Sequence, residues 1–144
     1  MEGKEFLDFA QKLLQFRSEA AIRSAVSRIY YAVFNTGKTL LNELGFVLPK
    51  DAAVHEELYR RLYNSGLSDI QETASWLFDI RRKRISTDYD MLSHDFQSHK
   101  SYALDIARAK LSIAQLESYH QQPLGNQLKD GIQEYERKIG LHER

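Results

Sequence analysis

The chain has 144 residues, no cysteine, and twenty basic side chains against twenty acidic ones, giving a net charge of zero. That length makes one domain around a single core, and the lack of cysteine excludes a disulfide framework or a thiolate metal site. The charge balance means that any affinity for nucleic acid must come from a local basic patch. Nothing behind Met1 reads as a signal peptide, and no stretch approaches the roughly 18 apolar residues of a membrane span, so a soluble, cytoplasmic protein is expected.

Pro49 and Pro123 are the only prolines, both lie where apolar periodicity breaks, and no β-branched run alternates strictly. The chain therefore reads as all-α. Phe6, Phe9, Leu13 and Phe16, with Leu7 and Leu14 alongside, predict a first helix with those residues inward, followed by Ser18 as a cap for the next. The second helix carries the broadest stripe: Ile22, Val26, Ile29, Val33, Leu40, Leu41 and Leu44, with Gly45 as its C-terminal stop. Asp51 is placed to cap a third helix through Val54, Leu58 and Leu62, ended by Asn64, Ser65 and Gly66. Ser68 and Gln71 have the spacing of a capping box for a fourth, in which Ile70, Ala74, Leu77, Ile80 and Arg84 share a face that turns basic halfway along. A fifth runs from about Ser98 with Tyr102, Ile106, Ala109, Ile113 and Leu116 inward, until Pro123 and Gly125 break it. Leu128, Ile132, Tyr135 and Ile139 predict a last short helix, or a tail that folds on a partner. The expected organisation is a helical bundle over 1–122 and a helical tail over 123–144.

Two segments carry chemistry. On the second helix Ser24, Arg28, Tyr31, Asn35 and Lys38 recur at four, three, four and three residues and so share a face. This face suits a functional groove or an ordinary solvated side. Adjacent Tyr30 and Tyr31 point about 100° apart on a helix, so one can pack inward while the other closes a groove edge. On the fourth helix Arg81, Arg84 and Asp88 share a face, with Arg82, Lys83 and Tyr89 beside them. Arginines so placed can hold a phosphate, or form a surface cluster with an Arg84 to Asp88 pair of small energy. His94 and His99 flank Asp95 without metal-ligand spacing, and neither a metal nor a cofactor is expected.

Ser27-Arg28-Ile29-Tyr30-Tyr31-Ala32-Val33-Phe34 resembles the "sRaYYAvFha" signature of the HEPN family (higher eukaryotes and prokaryotes nucleotide-binding). Arg84-Ile85-Ser86-Thr87-Asp88-Tyr89 resembles the "RxxADY" element of a prokaryotic branch, with Thr87 in place of the alanine. The resemblance covers roughly residues 5 to 120. It implies an up-and-down bundle of four to five helices that forms a homodimer, in toxin-antitoxin, phage-defence and CRISPR-linked systems, here with a short extra C-terminal helix. It also implies RNA or nucleotide as ligand, and a nucleotidyltransferase-type antitoxin as a possible partner. Many members are metal-independent ribonucleases using an Arg followed four to six residues later by a His. Here the Arg maps onto Arg84, but five residues on stands Tyr89, a poor general base at neutral pH. The resemblance thus assigns Arg84, Asp88 and Tyr89 to the catalytic position and Arg28, Tyr31, Asn35 and Arg81 to binding. Its functional expectation is an RNA-directed toxin or defence protein acting through a dimer cleft, with a non-catalytic module as the alternative.

Overall fold

The computed structural model describes residues 3–15, 19–89 and 99–143, and every regular element among them is an α-helix. These are α1 (Gly3–Leu14), α2 (Glu19–Glu43), α3 (Ala53–Tyr63), α4 (Ser68–Tyr89), α5 (His99–Ser118) and α6 (Leu124–Glu143). Phe16, Ser18, His94 and Asp95 lie outside the described residues, as do the side chains of Asp88, Tyr89 and His99.

The bundle is built around α2. Ala25, Val26, Ile29, Tyr30, Ala32, Val33, Leu40 and Leu41 are all essentially inaccessible, because α1, α4 and α5 pack on different sides of this helix. Its apolar surface is accordingly wider than one stripe. α2 ends as its sequence suggests: Gly45 has φ +97, the Phe46 N–H donates to the Leu41 carbonyl and the Gly45 N–H to that of Asn42. That pairing satisfies two carbonyls the helix would otherwise leave open, and it needs the left-handed conformation that glycine adopts without steric cost.

α3 buries Val54, Leu58 and Leu62, α4 buries Ile70, Ala74, Leu77 and Ile80, and α5 buries Tyr102, Ile106, Ala109, Ile113 and Leu116, all at the spacings the sequence shows. Asp51 accepts the Ala53 N–H through its carboxylate, although Ala52 occupies the cap position. The capping box expected at Ser68 does not form in that register. The Gln71 N–H donates to the Leu67 carbonyl, so the first turn opens one residue early, and Asp69 accepts the Ile70 N–H. Asp69 also accepts from the Tyr119 hydroxyl of the segment after α5 at 2.8 Å, which ties the start of α4 to the end of α5.

Two expectations need correction. In α1 the buried residues are Leu7 and Ala10, while Phe9 is 44% exposed. The inward face is the Leu7 and Ala10 row, with Phe6, Leu13 and Leu14 packed partly buried against the core, and the rings of Phe6 and Phe9 also lie under the Arg28 guanidinium, at 5.8 and 5.3 Å. The last helix is not short: α6 spans 20 residues. It starts where the Gln127 N–H donates to the Pro123 carbonyl and the Asn126 N–H to Gln122 Oε1. Leu128 and Ile132 are fully buried in the common core. Arg61 donates to Glu136 at 2.7 Å and Arg60 to the Tyr135 hydroxyl at 3.4 Å, extending the contact with α3 by a further turn. A Cβ on Gly131 would collide with the Ser65 carbonyl, so only glycine lets α6 cross the α3–α4 turn this closely.

Candidate functional site

Four basic residues in a row cannot share one direction on a helix, because each is turned about 100° from the last. Lys83 faces α5, where it pairs with Asp105 at 2.7 Å and lies 4.5 Å from the Tyr102 ring centroid. Arg82 is exposed and lies over Phe78. Arg81 and Arg84, three residues apart, face α2 and α3 instead. The Arg84 guanidinium lies 5.0 Å from the Tyr31 ring centroid and 5.8 Å from that of Tyr30, and its Nε donates to Ser27 Oγ at 3.4 Å. Arg81 lines a cleft with Leu77 and Phe78 of its own helix, Tyr30 of α2, and His55, Glu56 and Tyr59 of α3.

His55 is the centre of this cluster. Its ring is packed against Phe34 at 4.5 Å and near Tyr30 and Tyr31 at 5.6 and 6.3 Å, and its Nδ1 lies 2.5 Å from the Tyr30 hydroxyl. The two adjacent tyrosines divide the work that their positions allow: Tyr30 is 1% exposed, whereas Tyr31 is half-buried at the edge. Burial pushes the Tyr30 hydroxyl well above the ordinary phenol range, so it keeps its proton. No second acceptor lies at that hydroxyl among the described residues, and a buried O–H without an acceptor is costly. The proton is therefore donated to Nδ1, which fixes the neutral imidazole with its own proton on Nε2. Burial first, then the charges of Arg81, Arg84 and Lys38, hold the His55 pKa below its usual value.

Of the residues expected at a site, the fold brings Tyr31, Arg81 and Arg84 together. Arg28 is turned away onto the rings of Phe6 and Phe9. Asn35 lines a separate pocket of about 320 Å³ with Thr36, Thr39, Glu117 and His120, where His120 also contacts the Glu43 carboxylate. Shared periodicity does not guarantee a shared groove here, because neighbouring helices cover parts of the α2 polar face. Asp88 and Tyr89 close α4, and their side chains lie outside the described residues.

His55 is the candidate site residue that sequence reasoning passed over, although a signal existed. It and Tyr59 are four apart beside the Val54, Leu58, Leu62 stripe, at the edge where a helix surface meets a neighbour. Among the described residues no three His, Asp or Glu side chains are grouped to hold a metal. The chemistry the cluster offers is cationic and hydrogen-donating, with aromatic faces beside it, which suits an oxyanion such as phosphate. No family model, no curated protein and no solved structure matches this chain.

Proposed function

We propose that this protein is an HEPN-like, RNA-binding toxin or defence protein that works as a homodimer. In this reading each cleft between α2, α3 and α4 holds a phosphate against Arg81, Arg84 and His55. The observation that carries it is the convergence of Arg81 and Arg84 on the Tyr30, Tyr31 and His55 cluster, Arg81 lining the cleft beside His55 and Arg84 lying over the two tyrosine rings, in a chain whose total charge is zero. Positive charge gathered at one place beside aromatic faces is what binding a polyanion with unpaired bases requires.

Metal-independent cleavage is the second reading, favoured by the imidazole that His55 brings to a site whose Arg84 to Tyr89 segment lacks one. The resting tautomer weighs against it. With Nδ1 occupied by the Tyr30 proton, His55 offers Nε2–H as a donor to a phosphate oxygen, whereas a general base needs a free lone pair aimed at the 2′-hydroxyl. Binding without turnover is thus the stronger reading. The test incubates purified protein with labelled single-stranded RNA in EDTA and scores both retention and fragments. We expect retention of intact RNA, lost at least tenfold in Arg84→Ala. Absence of binding at low salt, or an Arg84→Ala variant that binds like the wild type, would overturn the proposal, and accumulation of fragments would establish the cleavage reading.

A further inference from the structure

The cleft is small and has three walls. Tyr30 forms one, His55, Glu56 and Tyr59 a second, and Leu77, Phe78 and Arg81 the third, around about 230 Å³. That lies below the roughly 300–1,000 Å³ of ordinary small-molecule sites, so it has room for one chemical group rather than a whole nucleotide. Its polar equipment is the Arg81 guanidinium and the donor-bearing His55 ring, and the Arg84 guanidinium lies over the ring of Tyr30, which forms one wall. No carboxylate of the described residues pairs with Arg81 or Lys38. An internal phosphodiester brings a single negative charge to this field, while a terminal phosphate monoester brings about −1.5 to −2 at neutral pH.

The aromatic residues give the cleft a direction. Tyr59, in its wall, lies 5.1 Å from Phe78 and stacks on Tyr63 at 5.4 Å with an interplanar angle of 27°. Phe78 and Tyr63 are 41% and 37% exposed, so the run of rings leads out of the cleft to the surface. Base stacking on such rings is tolerant of sequence.

We propose that the cleft recognises the terminal phosphate monoester of a nucleic-acid strand, with the end nucleotide stacked on the Tyr59, Phe78 and Tyr63 rings. This rests on the reading of the cleft as an RNA site and narrows it from a position along the strand to its end. The monoester sits against Arg81 and accepts from His55 Nε2–H.

The experiment measures fluorescence anisotropy at one salt concentration and pH 7.5, with RNA strands of one sequence carrying a 5′-phosphate, a 3′-phosphate or hydroxyls at both ends. One phosphorylated strand is expected to bind at least tenfold tighter than the hydroxyl-ended strand, and which one identifies the end. Arg81→Ala should bring the three to parity, with Arg81→Gln as the second variant should the alanine protein lose helicity by circular dichroism. Phe78→Ala should weaken the preferred strand without removing its advantage. Equal binding of all three strands by the wild type, weakened alike in Arg81→Ala, would overturn this inference and leave the RNA-binding reading standing. No binding of any strand would overturn both.

Discussion

Tyr30 and His55 hold each other in one protonation arrangement, and that arrangement has a measurable pH signature. The neutral imidazole is favoured in the fold because it is partly buried and feels the charges of Arg81, Arg84 and Lys38, and because it accepts the Tyr30 proton. In the unfolded chain the same ring protonates near 6.5. The unfolded state therefore binds more protons as pH falls below that value, so the stability contributed by neutral His55 is complete above about 6.5 and is lost in acid. We expect the urea midpoint to fall between pH 7.5 and 5, and to fall less steeply in His55→Gln. Tyr30→Phe should cost about 1 kcal/mol at pH 7.5 and raise the His55 pKa, since the neutral ring loses its donor. An imidazole proton titration by NMR reads this directly, and an unchanged curve would show that the phenol does not set the tautomer. Tyr119 is a second such anchor: burial and its bond to Asp69 push it up to about 12. Its contribution is present below the ordinary phenol value near 10 and lost as pH rises through 12.

The helices differ in how openly they declare their packing. α3, α4 and α5 each meet the core mainly along one stripe, and their inward residues stand at helical spacing in the sequence. α2 is surrounded, so its buried set includes Tyr30 and Phe34, beyond the apolar stripe of its pattern. α1 misleads by hydrophobicity at Phe9, which reads as a core residue but is 44% exposed with its ring under Arg28, a use of aromatic rings that apolar scales do not register; Phe6 packs against the core as well as against Arg28. α6 provides a paired test through its glycines. Gly131→Ala forces a methyl group into the Ser65 carbonyl and should cost about 1–3 kcal/mol, seen as a drop of several degrees in Tm. Nothing lies within 4 Å of a Cβ on Gly140, so Gly140→Ala should leave Tm unchanged or raise it, by up to about 1 kcal/mol of helix propensity. Equal effects of the two would show that α6 is not seated against the α3–α4 turn.

For the molecule as a whole, neutrality and a local cationic site together predict weak, salt-sensitive binding. If two or three phosphates contact the Arg81, Arg84 and Lys38 region, the logarithm of the RNA affinity should fall with the logarithm of salt at a slope of roughly −1.4 to −2.1. A slope near zero would exclude phosphate contacts as the source of affinity. Among the described residues no helix is long and apolar enough to cross a membrane. The helical class, the turn at Gly45 and the inward rows of α3 to α5 were legible in the sequence because they depend on local chemistry: periodicity, capping and the backbone freedom of glycine. The grouping of the site was legible only in part. The spacing of Arg81 and Arg84 already placed them on one face, and adjacent Tyr30 and Tyr31 already implied one buried ring and one at an edge. Which neighbour each face meets depends on how α2 is enclosed, and that is a property of the packed bundle. Tertiary structure alone turned Arg28 to α1, moved Asn35 to another pocket, and carried His55 from a separate helix to the Tyr30 hydroxyl, because contacts between residues 25 apart are set by the packing of whole helices: local spacing can put His55 at the edge of α3 but does not name the residue it meets.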